Sequence, residues 1–263
     1  MVSVIVTVYN FEKYISECLD SILASDYDNY EIVVVDDGSK DKSAIICDEY
    51  AKRYPKIRVF HIENHGVCYA RNYAIEQSRG EFILPVDGDD KIAPSYIRKA
   101  YQELKSNSKL GIVYCEAEFF GAKKGRWDLD PFTIERELEG NIIFISSMFR
   151  REAWVICGGF KDNVKNGLED YDFWLSVLES GCEVKRLPEV LFYYRIREQS
   201  RNKSYEQDIE SQVITQLQLI RNHPVLFQKH IEVFLNQYGA LLREHLELKK
   251  AKKKNPLLKL ILK

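Results

Sequence analysis

The chain has 263 residues, 45% hydrophobic and 30% charged, an ordinary globular balance that can fill a sizeable core. Its formal net charge of −2 excludes a general attraction of the whole molecule for nucleic acid, so no nucleic-acid partner is expected. Six cysteines (Cys18, Cys47, Cys68, Cys115, Cys157, Cys182) are scattered without a CxxC pair, which removes zinc and thioredoxin-like readings and leaves reduced thiols packed in the core of a cytoplasmic protein.

Met1 runs straight into Val2–Val8, an apolar run with no basic leader, too short to span a bilayer and read as a buried strand. Tyr14, Cys18, Ser21 and Ile22 then recur at helical spacing. Glu31–Val35 is a second strand, nearly continuous in Ile and Val as a strand covered on both faces must be. It ends in Asp36-Asp37-Gly38-Ser39, ahead of a helix over Asp41–Arg53. A third strand, Ile57–Phe60, leads through Gly66 into a helix containing Ala70–Gln77, and a fourth, Glu81–Val86, ends in Asp87-Gly88-Asp89-Asp90. This β-α-β-α order predicts a mainly parallel, Rossmann-like α/β sheet flanked by helices. Ligands bind such sheets beyond the carboxyl ends of the strands, where both acidic clusters are expected to converge.

The second half is less regular. Pro94–Ser106 reads as a helix, Leu110–Cys115 as a strand, and Phe119–Pro131 as a glycine- and charge-rich connection. Asn141–Phe149 reads as a further strand, followed by a short helix that breaks at Gly158-Gly159. Glu169–Glu179 is a helix with Phe173, Trp174, Val177 and Leu178 on its apolar face, and Val184–Arg195 supplies one or two more strands. From Tyr205 to about Lys250 two helices are divided near His223-Pro224. The domain organisation is therefore an α/β domain over 1–200, a C-terminal helical extension over 201–248 and a basic amphipathic tail over 249–263. In the tail, Lys250, Lys252, Lys253 and Lys254 precede Leu257, Leu258, Leu260, Ile261 and Leu262, with Pro256 between. It is either a solvated basic end or a reversible, peripheral contact with an anionic membrane at the inner face of the cell membrane.

Asp87-Gly88-Asp89 carries the strongest chemical signal. Two carboxylates flanking a small residue at a strand end can hold a hard divalent cation and leave room for phosphate oxygens, although Asp and Gly also make ordinary acidic turns. A carboxylate of Asp36-Asp37 can accept the imino N–H of a pyrimidine, with Gly38 allowing close backbone approach; the same residues also suit a turn with Ser39 or Asp41 capping the next helix. Arg71 is either a phosphate clamp or an internal partner of the two Asp clusters. Glu169-Asp170 opens the Trp174 helix, where acids stabilise the macrodipole and where one carboxylate can reach an acceptor hydroxyl. Tyr193-Tyr194-Arg195-Ile196-Arg197 places two cations near a loop, to close over a diphosphate or to remain surface charges.

The succession Val4–Asn10, Asp36-Asp37-Gly38-Ser39, Gly66 to Asn72, Asp87–Asp90, Gly158-Gly159-Phe160, Glu169-Asp170 and Tyr194-Arg195 resembles glycosyltransferase family 2 with the GT-A fold, over about residues 2–200. The resemblance implies an inverting transferase using a nucleotide-sugar donor, most often a UDP-sugar, with Mn²⁺ or Mg²⁺. Carried onto this chain, it assigns Thr7, Tyr9 and Asp37 to the nucleoside pocket and Asp87 and Asp89 to the Asp-x-Asp element, with Asp89 the metal ligand. It assigns Asp170 as general base, beside Glu169, which orients it or contacts the acceptor. Arg71 and Arg195 complete the donor site. The Gln-x-x-Arg-Trp element of processive synthases is absent, so one sugar per encounter is expected, onto a saccharide or lipid-linked saccharide, in assembly of a surface polysaccharide or glycoconjugate.

Two alternatives compete. A nucleotidyltransferase would carry a glycine-rich basic loop after the first strand, where this chain has Val8-Tyr9-Asn10-Phe11-Glu12-Lys13. A non-catalytic nucleotide-sugar binder of the same fold would not need Asp87, Asp89, Glu169 and Asp170 together. Acceptor specificity is expected from Phe119–Asn141 and Gly159–Leu168.

Overall fold

A computed structural model of the protein describes residues 1–164, 167–197 and 209–233, with isolated helical positions from there to residue 250. The first half forms as its pattern dictates. Strands β1 (Val2–Val8), β2 (Tyr30–Asp37), β3 (Ile57–Ile62) and β4 (Phe82–Asp87) pair in parallel, with β1 between β2 and β4. Side chains alternate between faces, which explains why the runs are apolar throughout. Val2, Val4, Val6 and Val8 pack with helices α1 (Ile15–Leu23) and α2 (Ser43–Arg53). Ile5, Val33 and Val35 pack instead with α3 (Val67–Gln77).

The second half adds short antiparallel strands to the expected, mainly parallel sheet. After β5 (Lys91–Ile92) and α4 (Tyr96–Ser106) come β6 (Leu110–Gly121), β7 (Gly125–Trp127), α5 (Ile134–Glu139), β8 (Met148–Arg150), α6 (Arg151–Cys157), α7 (Glu169–Leu178) and β9 (Glu183–Ile196). Among the described residues the sheet order is β3-β2-β1-β4-β8-β6-β9-β5, with β7 on β6. β8 runs antiparallel to both β4 and β6, and β5 and β7 are also antiparallel to their partners, so the sheet is mixed. Asn141–Phe149 is not a strand. Only Met148–Arg150 pairs, while Ile143, Phe144 and Ile145 are buried in irregular chain that turns where Ser147 Oγ donates to Phe144 O (2.6 Å). The 119–131 connection is shorter than expected, because β6 runs on to Gly121 in a bulged parallel ladder with β9.

The break after α6 follows from two glycines with positive φ, Gly158 (73°) and Gly159 (81°). A Cβ on Gly159 would lie 2.6 Å from Asn72 Oδ1, the atom that receives Trp154 Nε1 and Phe160 N. Helices α8 (Ile209–Asn222) and α9 (Pro224–Lys229) divide at His223-Pro224 as expected. They are fixed to α7 by buried polar groups: His223 Nε2 meets Asp172 Oδ1 at 3.1 Å, and Asn222 Nδ2 donates to the same oxygen at 2.5 Å. Cys18, Cys47, Cys68 and Cys115 are buried and all six cysteines are free thiols. No described helix is long and apolar enough to cross a membrane. Residues 198–208, which include the start of the 201–248 extension, and all of the 249–263 tail except residue 250 lie outside the described residues.

Candidate active site

The parallel register sets the acidic edge of the sheet. Val8 pairs with Asp36 and Thr7 with Asp87, so the acid-tipped ends of β2 and β4 flank the end of β1. The two clusters therefore meet at one sheet edge, as their strand-end positions require. Asp37 is buried, and its carboxylate shapes the neighbouring loop: Oδ1 accepts His65 N (2.8 Å) and Oδ2 accepts Gly66 N (3.0 Å). Gly38 (φ 71°) cannot carry a side chain there, since a Cβ would lie 2.9 Å from Asn64 N. Asp41 Oδ1 accepts Ser43 N at 2.9 Å and satisfies the start of α2. Tyr9 is exposed on a loop in which Asn10 has φ 57° and is pinned by Ser39 Oγ and Lys40 N.

Asp87 receives Thr7 Oγ1 (3.2 Å) and Arg71 (3.1 and 3.4 Å). Arg71, on α3, is buried and also donates to Glu169 Oε1 (2.9 Å). Arg71 thus pairs internally with Asp87 of one Asp cluster and with Glu169, and among the described residues it makes no ion pair with Asp36 or Asp37. Against the desolvation that opposes it, the Asp87 and Glu169 carboxylates hold its guanidinium above its ordinary pKa. This single side chain links the end of β4 to the start of α7.

Burial, then the charge of Asp87, pushes the Asp89 carboxyl up to about 6, although Arg197 Nε lies 3.0 Å from its Oδ2. Asp90 is fully buried and raised well above the carboxylate range by burial and the charges of Asp89 and Asp87; its Oδ1 accepts Arg195 N (2.8 Å), and its Oδ2 has no hydrogen-bond partner among the described residues. Arg195 is occupied structurally. Its Nε donates to Asp89 O (2.6 Å) and its Nη2 to Glu17 (2.5 Å), and it lies over the Tyr14 and Phe120 rings. Arg197, the second cation of that run, is the one that faces the Asp89 carboxylate.

At the start of α7, Asp170 Oδ1 accepts Asn141 Nδ2 (3.2 Å) and Tyr171 N (2.7 Å). Burial, then the neighbouring Glu169 charge, raises its pKa to about 7, with Arg71 acting in the opposite direction. Glu137 on α5 is 0% exposed and raised by burial to about 8. Sequence reasoning missed Asn141, Glu137 and Asp90 as participants. Asp90 shared a signal with its neighbours, whereas Glu137 in Glu137-Leu138-Glu139 reads as surface charge.

Among the described residues no three His, Cys, Asp or Glu side chains form a self-sufficient metal cage. The donor set nevertheless fits a hard divalent cation bound jointly with a ligand's phosphates. Asp87 and Asp89 offer oxygen atoms, and the burial and mutual negative charge that raise Asp89 and Asp90 are what a cation would offset.

Residues 3–161 match the family model "Glycosyl transferase family 2". An uncharacterized glycosyltransferase of Bacillus subtilis, EpsJ, is 33% identical over 216 residues, covering 74% of this chain and 61% of its own. The chain thus spans about three-fifths of that relative's length. TarS of S. aureus, solved with UDP-GlcNAc, superposes with a TM-score of 0.66 at 24% identity over 77% of this chain and 60% of its own. A mannosyltransferase of Pyrobaculum calidifontis, solved with GDP-Man and Mn²⁺, gives 0.63 at 20% identity over 92% and 79%. At these identities the two structures establish the fold alone. Because the family model spans well over half of the chain and closes on the acid-tipped parallel sheet, the chain belongs to glycosyltransferase family 2 and has the GT-A fold.

Proposed function

We propose that the protein is an inverting glycosyltransferase that moves a sugar from a nucleotide-sugar, of which a UDP-sugar is the best fit, to a hydroxyl of a saccharide or lipid-linked saccharide. The reaction would serve polysaccharide or glycoconjugate synthesis. The observation that carries the reading is Arg71, which joins Asp87 of the donor side to Glu169, the neighbour of Asp170, in one buried ion network. A donor-phosphate site and a proton acceptor are thereby held together.

Thr7, Tyr9 and Asp37 are assigned to the nucleoside, and Asp89 with Asp87 to Mn²⁺ or Mg²⁺. When bound, that ion neutralises charge on the departing diphosphate. Arg197, within reach of Asp89, is placed to add positive charge there. Asp170 takes the proton of the acceptor hydroxyl. The acceptor oxygen then forms its bond to the anomeric carbon as the carbon–oxygen bond to the diphosphate breaks, and the diphosphate leaves with the electron pair. A single displacement of this kind inverts the configuration. The ligands named for TarS and the mannosyltransferase, UDP-GlcNAc and GDP-Man with Mn²⁺, support the donor class and the metal.

The test is a panel of UDP-, GDP- and TDP-sugars, with and without Mn²⁺, scored for release of the nucleoside diphosphate. Metal-dependent release from one member is expected. Binding without release from any member, with saccharide acceptors present, would leave a nucleotide-sugar binder and overturn the reading.

A further inference from the structure

Three features beside Asp170 have no part in the chemistry above: Asn141, Glu137 and the turn that joins them. Glu137 lies near the end of α5, fully buried, and its Oε2 accepts Ile142 N at 3.1 Å. Its backbone oxygen accepts Tyr171 Oη at 2.6 Å, which fixes α5 to α7 one residue from Asp170. The turn after α5 is therefore held from both sides. From that turn Asn141 donates to Asp170 Oδ1, which also receives Tyr171 N, whereas Oδ2 takes no hydrogen bond among the described residues.

The Asp170 carboxylate is thus made asymmetric. Two donors hold one oxygen and orient the plane of the group, and the other oxygen keeps its lone pairs for an incoming proton. We propose that Asn141 is the positioning residue of the base, fixing Oδ1 of Asp170 so that Oδ2 is the proton-accepting atom, with Glu137 holding the turn that carries Asn141. The proposal rests on Asp170 being the base.

The charge environment supports this arrangement. Asp170 faces Glu169 on its own helix, Asp87 from β4 and Glu137 from α5, with Arg71 from α3 as the cation. A third ionised carboxylate would raise Asp170 further. Glu137, pushed up to about 8, stays protonated at neutral pH and anchors the turn without adding that charge. An asparagine suits the contact to Asp170, because it donates an N–H without a charge of its own.

The experiment is a ¹³C-carboxyl NMR titration of the full chain, with the Asp170 resonance assigned by its loss in Asp170→Asn. In Asn141→Ala the N–H that favours the charged form is gone, so the Asp170 midpoint should rise by roughly 0.5–1 pH unit. Asn141→Asp, which adds a like charge, should raise it more. Glu137→Ala should release the turn and shift Asp170 as Asn141→Ala does, whereas Glu137→Gln, which imitates the neutral acid, should restore the wild-type midpoint. With the donor selected by the nucleotide-sugar panel, Asn141→Ala should lower kcat about 10-fold without raising the donor KM. An Asp170 midpoint and kcat both unchanged in Asn141→Ala would overturn the positioning role. Full transfer by Asp170→Asn is a separate result that would overturn the base assignment itself.

Discussion

The proposed donor side of the site, at the ends of β1, β2 and β4, and the proposed acceptor side, at the start of α7, present carboxylates in different company. Asp87 is paired with Arg71 and Asp89 with Arg197, while Asp170 and Glu137 have no ion pair among the described residues. An arginine in contact offsets part of what burial does, so Asp89 beside Arg197 rises only to about 6. Burial without such a contact raises proton affinity until the group can exchange a proton near neutral pH, as Asp170 at about 7 can. Arg71 stands between the two regimes, touching Asp87 on one side and Glu169 on the other.

The sharpest way to separate the two sides is to remove one acid from each. Asp170→Asn keeps the shape but removes the proposed proton acceptor, so transfer should fall by roughly 10²–10⁴-fold with Mn²⁺-UDP affinity nearly unchanged. Asp89→Ala should also suppress transfer, but calorimetry should show its Mn²⁺-UDP affinity falling as well. Equal losses of nucleotide affinity in both variants would erase the distinction. The pH profile of kcat should fall on the acid side as pH drops through about 7, because Asp170 is then protonated and cannot act as base.

Breaking the bridge tests whether the sides depend on each other. Arg71→Met leaves the Asp87 and Glu169 carboxylates without their shared cation in a largely buried site, which should cost about 3–5 kcal/mol of stability by urea denaturation. Unchanged stability would mean that the network is not ionised as described.

A further effect is a slope of stability with pH. Glu137 in the folded protein titrates near 8, above its ordinary 4.5, so the unfolded chain releases this proton first as pH rises. Its contribution to stability is therefore present at low pH and is lost between about 4.5 and 8. Glu137→Gln cannot titrate, so its urea midpoint relative to wild type should improve steadily from pH 5 to pH 8. A constant difference between the two proteins across that range would show that Glu137 is not held neutral.

Legibility in the sequence follows how local each feature is. β1 to β4 were readable within a few residues, because a doubly covered strand is a continuous apolar run and its acidic tip marks where pairing stops. The same apolarity misled at Asn141–Phe149, where Ile143, Phe144 and Ile145 are buried by packing without a ladder. The full extent of β6 was hidden because its pairing with β9 joins segments distant in the chain through register shifts at Leu110–Ile112 and Cys115–Ala117, whereas Val184–Arg195 matched β9 to within one residue at each end. Of the two cations Arg195 and Arg197, only the fold shows which faces Asp89.

By itself the sequence determined the parallel half, the placing of Asp36-Asp37 and Asp87-Gly88-Asp89 at neighbouring strand ends, and an acid pair opening the Trp174 helix. Each is a matter of short-range periodicity and of residue type at a strand or helix end. Only the tertiary structure decided that the second half is mixed in strand direction and that Arg71 bridges Asp87 to Glu169. It alone brought Asn141 to Asp170 and buried Glu137 beneath the turn between them. Those relations join residues 16 to 98 positions apart for Arg71 and 29 for Asn141. Their effect on proton affinity comes from burial and from neighbouring charge, which a linear pattern does not record.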